Sequence, residues 1–312
     1  MRISIFLHWC VTIRLLATLP EIESLSTRTT RRIPFLSVLI PAYNEQDRLG
    51  PTLAAYQDYL KQHPYWNADN KCRCQIVVCN DGSTDGTAKL VEAWPTKKAT
   101  TIPVDCVHLP NNAGKGAALA AGMAHILQAK PNSWILTADA DGSAPLQNNL
   151  EALLQRLEED WYDKGLDDAH HQTKTQSPIL VTGYRTTAAP SRILLRWGFR
   201  AVVRTIVGDL GVRDSQCGLK LLSPAAAAVL YRDLHLPSWS HDVEVLYRAR
   251  ALDVVVLEAP VLWQDQAGSH LVASGVGRVV ARMFADVVQL KWCYATGQWT
   301  LPDNRIMTSG DV

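Results

Sequence analysis

Four short apolar runs in the first half of the chain each stop at a polar cluster, and a helical stretch separates each from the next. Leu36–Pro41 (LSVLIP) leads to Asn44-Glu45, Gln75–Asn80 (QIVVCN) to Asp81-Gly82-Ser83, Val104–Leu109 (VDCVHL) to Asn111-Asn112, and Ser133–Ala138 (SWILTA) to Asp139 and Asp141. Runs this apolar suit strands buried on both faces, as in parallel sheets. Strands that alternate with helices build βαβ units, so the expected class is α/β, a mostly parallel sheet flanked by helices. In such sheets ligands bind outside the carboxyl ends of the strands. All four polar clusters fall at those ends.

The remaining elements follow the same grammar. Helices are expected over Glu45–Lys61, from Ser83 or Thr84 as N-cap, over Gly114–Gln128 and from Ser240. Ile179–Arg185 (ILVTGYR) reads as a strand and CGLKLLS as the segment leading back into the sheet. VVVLEA and PVLWQ read as two further short strands. Glu158–Pro178 is polar, mixed in charge and read as a solvated insertion, His170-His171 included, because adjacent loop residues rarely chelate together. Val276, Val279, Val280, Met283, Phe284, Val287 and Val288 recur at helical spacing with Arg278 and Arg282 among them, the pattern of a helix lying in a membrane interface or covering the sheet.

Composition bounds the chemistry. The 312 residues are 47% hydrophobic, enough for a full core, and the net charge of +1 supplies no global field for nucleic acid, so no nucleic-acid partner is expected. The seven cysteines are odd in number and scattered. Cys72-Arg-Cys74 has one residue between its sulfurs and no second pair, unlike a zinc knuckle. Reduced thiols facing the cytosol are expected. Ile3–Leu19 is mostly apolar but interrupted by His8 and Arg14, slightly short of a full bilayer span. Residues 1–33 therefore read as a hydrophobic segment with a linker, 34–275 as the main domain, and 276–312 as the amphipathic helix and tail.

The glycine-rich turns fit neither dinucleotide nor P-loop spacing. Asp139 and Asp141 are more telling. Two carboxylates one residue apart repel unless a cation or a proton lies between them. Oxygen donors select a hard divalent ion, Mg²⁺ or Mn²⁺, and such an ion bridges the phosphates of a nucleotide.

SVLIPAYNEQDRL, VVCNDGSTDGT, NNAGKGAALAAGM, LTADADGSAP and VTGYR resemble the successive motifs of family-2 glycosyltransferases with the GT-A fold. DSQCGLKLLS, LHLPSWSHDVEVLY and WQDQAGSHL more narrowly resemble the dolichyl-phosphate β-glucosyltransferases. The resemblance spans about Leu36 to Leu271. It implies that Pro41, Ala42, Tyr43, Glu45 and Asp81 hold the uridine, that Lys115 helps at the nucleotide, and that Asp139 and Asp141 manage metal and diphosphate. It puts Asp141 and Asp242 in the catalytic machinery, with Asp242 on the acceptor side near the sugar. Gln216 and Lys220 would line the pocket, with Trp239 as an apolar wall. Ser143 stands where dolichyl-phosphate mannose synthases, which resemble this chain at D-A-D, carry Gln, and this favours the glucosyl branch. The implied reaction is inverting transfer from UDP-glucose to dolichyl phosphate, giving dolichyl β-D-glucosyl phosphate for N-glycosylation, at the endoplasmic reticulum membrane with the catalytic domain cytosolic. The residues leave open another sugar nucleotide, such as GDP-mannose, and an inactive nucleotide-sugar-binding scaffold; intact Asp139, Asp141 and Asp242 speak against the last.

The acceptor also needs positive charge. After Arg185, the residues Arg192, Arg196, Arg200 and Arg204 recur every four positions and stack on one helix face. Arginine suits phosphate recognition. The stripe rises about 18 Å, too far for all four to touch one phosphate.

Overall fold

The structure is a computed structural model, and it describes residues 33–68, 71–94, 102–163, 177–186, 190–264, 266 and 276–302. Side chains of 161–163 and 190–196 are not among them, nor are Ile3–Leu19, His170-His171 and most of the insertion.

Nine strands and eight helices are described. The strands are β1 (Leu36–Ala42), β2 (Asn67–Ala68), β3 (Lys71–Cys72), β4 (Cys74–Asp81), β5 (Val104–Leu109), β6 (Trp134–Thr137), β7 (Ile179–Arg185), β8 (Lys220–Leu222) and β9 (Val255–Val261). The helices are α1 (Leu49–Gln62), α2 (Thr87–Glu92), α3 (Lys115–Ala129), α4 (Leu146–Asp163), α5 (Pro190–Ile206), α6 (Pro224–Tyr231), α7 (His241–Ala251) and α8 (Val276–Ala295). Seven strands form one sheet in the order β5-β4-β1-β6-β8-β7-β9, parallel except for β8, which runs antiparallel to both neighbours.

Both faces of the sheet are covered, as the apolar runs require. Leu36, Val38 and Ile40 of β1 enter a core shared with α1 and α4, while Leu39 turns to the opposite core beneath α3, α6 and α7. Ser37 shares that second face and is buried, but its hydroxyl meets that of Ser133 at 2.8 Å, so no polar group is stranded. A third cluster of Val203, Val243, Val287 and Leu290 joins α5, α7 and α8.

Several boundaries differ from expectation. The first helix starts at Leu49, not Glu45. Asn44 sits at φ 53°, and the Glu45 amide is donated to Thr87 Oγ1 at 2.8 Å rather than to a helical turn. Ser83 and Thr84 do not cap the second helix, which begins at Thr87 after Gly86. VVVLEA and PVLWQ are not two strands. Val255–Val261 runs through Pro260 as one edge strand, where a missing N–H is tolerated. The polar insertion is helical at its start, because α4 continues to Asp163.

Candidate active site

The site is built where β1, β4 and β6, adjacent in the sheet, release their chains. Pro41 and Ala42 end β1 opposite Cys79 and Asn80 of β4, so the two following loops emerge side by side. They are stitched together. The Asn44 amide donates to Ser83 Oγ at 3.0 Å, Thr84 N–H to Asn44 Oδ1 at 2.8 Å, and Gly86 N–H to Gln46 Oε1 at 2.7 Å. This web fixes Tyr43 and Glu45 at the rim. The Glu45 carboxyl is pushed up to about 7, mainly by burial and further by the nearby Asp141 and Asp139, against the pull of Arg48 2.7 Å away. The three carboxylates therefore share one neighbourhood.

Asp81 ends β4 nearly buried. Its carboxylate accepts the Ala113 amide at 2.7 Å and the Gly114 amide at 2.8 Å. The expectation for Asp81 was a bond to a base. Each oxygen can accept a second donor, but the first work of this side chain is to fix loop 111–114. Two glycines make that close approach possible. Gly82 lies at φ +62° with its missing Cβ 2.4 Å from the Asn111 carbonyl carbon, and Gly114 lies at φ +102° with its missing Cβ 2.5 Å from the Pro237 oxygen.

The loop delivers Lys115, the first residue of α3, and its ammonium donates to Asp139 Oδ1 at 2.6 Å. Burial lowers the Lys115 pKa, but Asp139 and Asp242 outweigh it and hold the group above the ordinary lysine value. Gly218, just before β8, presses on Asp139 from the other side; a Cβ there would sit 2.8 Å from the carboxylate. Asp141 is less engaged, with Oδ1 accepting the Ser143 amide at 3.0 Å.

Across from this pair stands a second. Lys220 of β8 donates to Asp242 Oδ1 at 2.6 Å and to the Cys217 carbonyl, and both side chains are buried. Burial alone would raise the Asp242 pKa, yet His241, Lys220 and Lys115 together hold it below the usual carboxylate range. His241 Nε2 lies 3.3 Å from the same oxygen, and burial keeps its imidazole below the ordinary histidine value. Trp239 is 40% exposed, and the Lys115 ammonium lies 5.6 Å from its ring centroid.

The arginines divide. Arg185 forms a bidentate pair with Asp214, Nε to Oδ2 at 2.7 Å and Nη2 to Oδ1 at 2.9 Å, and lies 5.1 Å from the Trp263 ring centroid. The Gln216 amide reaches the same carboxylate at 3.3 Å. Arg200 donates to the Arg213 carbonyl, and the exposed Arg204 pairs with Asp209 at 3.5 Å. The side chains of Arg192 and Arg196 lie outside the described residues. Arg204→Ala should therefore change acceptor kcat/KM less than about fivefold, as exposed pairs are worth under about 1 kcal/mol. A tenfold loss in steady-state kinetics would support the acceptor role expected for Arg204.

Sequence reasoning missed Lys115–Asp139, Lys220–Asp242 and Asp214. The partners lie 24, 22 and 29 residues apart, so no local spacing announces them. Among the described residues no three acidic, histidine or cysteine side chains group to hold a metal. Asp139 and Asp141 fit a hard ion that takes its other ligands from phosphates and water, the usual habit of Mg²⁺.

Comparison with known proteins matches residues 37–166 to the family described as Glycosyl transferase family 2. A dolichyl-phosphate beta-glucosyltransferase of Homo sapiens is 30% identical over 298 residues, covering 93% of this chain and 83% of its own. That of Mus musculus is 31% identical over 278 residues, covering 86% and 79%. Among solved structures, glucosyl-3-phosphoglycerate synthase of Mycobacterium tuberculosis, complexed with Mn²⁺, uridine diphosphate and glucosyl-3-phosphoglycerate, superposes with a TM-score of 0.57 at 18% identity, covering 90% of this chain and 85% of that one. At that identity the likeness establishes a shared GT-A fold.

Proposed function

Because the chain belongs to the dolichyl-phosphate β-glucosyltransferase family, within the family-2 glycosyltransferases, we propose that it transfers glucose from UDP-glucose to dolichyl phosphate with inversion. The observation that carries this reading is the alternation of charge across the strand ends. Lys115 bonds Asp139 and feels Asp242, which bonds Lys220 in turn. Two anions must be brought together here, a nucleotide diphosphate and a phosphate monoester, and the site supplies cations for both.

The acceptor needs no strong base. A phosphate monoester is largely dianionic at neutral pH and already nucleophilic. Glu45, Tyr43 and the loop fixed by Asp81 would orient the uridine. Lys115 would steady the diphosphate, and Asp242 would accept a hydroxyl of the glucose while keeping Lys220 in place. A divalent cation held by Asp139 and Asp141 would neutralise the charge left on the departing nucleotide. The acceptor oxygen forms a bond to the anomeric carbon as the bond to the diphosphate breaks, turning an α donor into a β product.

The acceptor is a lipid, and this reading places the protein at the cytosolic face of the endoplasmic reticulum membrane. Among the described residues no helix is long and apolar enough to cross a membrane. The outward face of α8 nevertheless carries Val280, Phe284, Val288 and Trp292 every four residues, with Phe284 49% and Trp292 64% exposed. Arg278 and Arg282 are also exposed. This suits a helix lying in a lipid interface. Replacing Phe284 and Trp292 with aspartate should cut co-sedimentation with anionic vesicles several-fold while leaving transfer to a short, water-soluble polyprenyl phosphate unchanged. Unaltered sedimentation would make α8 only a cover for the core.

The function itself is tested with purified protein, dolichyl phosphate in detergent and a panel of radiolabelled sugar nucleotides. Lipid-soluble label is expected from UDP-glucose. Label from GDP-mannose alone would move the chain to the mannosyl branch.

A further inference from the structure

We infer that Glu244 is a positioning residue for the acceptor side of the site. It stands two residues beyond Asp242 on α7 and is fully buried. Its carboxylate accepts the amides of His235 and Leu236, the latter at 2.6 Å, and pairs with Arg248 Nη2 at 2.7 Å. His235 Nδ1 lies 2.8 Å away, and the Tyr294 hydroxyl of α8 donates to it at 3.1 Å. One carboxylate thus gathers groups from three parts of the fold. Arg248 complements it by donating to the carbonyls of Leu230, Arg232 and Asp233. Segment 230–236 is therefore suspended between two buried charges.

The far end of this segment is the active site. The Leu236 and Pro237 carbonyls lie where Cβ atoms on Gly116 and Gly114 would be, at 2.7 and 2.5 Å, and the Ala117 amide donates to the Pro237 carbonyl at 3.1 Å. The N-terminus of α3, with Lys115, is thus seated on the residues that Glu244 holds. Ser238 O meets His241 Nδ1 at 2.8 Å, and Trp239 follows with its ring beside the Lys115 ammonium. On the other flank, Trp299 stacks on His235 at 4.3 Å between centroids and 6° between planes. Glu244 so ties the C-terminal helix region to the loop that presents Trp239. A buried carboxylate with this many donors is committed to holding its neighbours, because losing its charge would leave Arg248 uncompensated.

The role rests on the proposed reaction, and the test separates the two. Glu244→Gln and the milder Tyr294→Phe are compared with the wild-type protein. Both variants should raise the KM for dolichyl phosphate, about tenfold or more for the first and several-fold for the second. Metal-dependent UDP affinity, measured by calorimetry, should weaken by less than the acceptor KM rises, because Asp139 still holds the Lys115 ammonium. Hydrogen exchange of the folded proteins, which needs no substrate, should show faster exchange over 234–240 and unchanged exchange in β1 and β4. If Glu244→Gln does not fold, Tyr294→Phe decides. A variant that lowers Tm while leaving acceptor KM and exchange over 234–240 unchanged would overturn the inference. If the wild-type protein does not use dolichyl phosphate, the reaction reading fails and the exchange result alone judges Glu244.

Discussion

Asp141→Asn should abolish glucosyl transfer while leaving the fold intact. The carboxylate makes one hydrogen bond, from the Ser143 amide to Oδ1, and the asparagine oxygen can accept it equally. What disappears is one of the two negative charges that would hold a divalent cation against the diphosphate. Removing a single preorganised electrostatic partner of a transition state costs on the order of 10²–10³ in kcat, and losing a ligand of the implied metal should take turnover below detection. Tm should move by no more than about 2 °C. Chelation by EDTA should reproduce the defect in the unmodified protein, and added Mn²⁺ should reverse it. Asp139→Asn is a poorer test, because it also weakens the bond that holds Lys115. Full activity in chelator, with Asp141→Asn equally active, would remove the metal from the reaction.

That pair of aspartates was legible in the sequence because strand ends are legible. A run such as Trp134–Thr137, all four residues buried, announces its own termination, and two acids one residue apart stand out after it. The α/β alternation was readable for the same reason: period and punctuation are local. What could not be read was which rim residue touches which. Lys115 was expected at the nucleotide and Arg185 at the acceptor, but neither expectation included the acid from a distant strand or turn that holds each of them. Pairing across the sheet depends on strand order, and β8 enters antiparallel between β6 and β7, which no single-segment pattern declares. Glu244 and Arg248 did leave a signal, an i,i+4 acid–base pair within a helix that also carries His241, Asp242 and Arg250. The usual setting for such a pair is the surface, and here eight of the eleven residues of α7 are buried.

Asp242→Asn should be strongly destabilising. The substitution leaves Lys220, 1% exposed, without its carboxylate. Breaking a buried pair from one side costs about 3–5 kcal/mol, well above an exposed pair, so Tm should fall by on the order of 10 °C. Asp242 is held below the usual carboxylate range, so its contribution is present above the unfolded-state value and is lost as pH falls toward the folded one. The wild-type protein should therefore lose stability below about pH 4 more steeply than the variant. Removing both charges, with Lys220→Met and Asp242→Leu together, should recover most of the lost Tm, less about 1 kcal/mol for the Cys217 carbonyl that Lys220 no longer meets. It should not recover transfer, because the groups proposed to serve sugar and acceptor are gone. Differential scanning across pH, with a transfer assay on the same preparations, separates the two roles. A double variant that regains both stability and activity would show that the pair serves the fold alone.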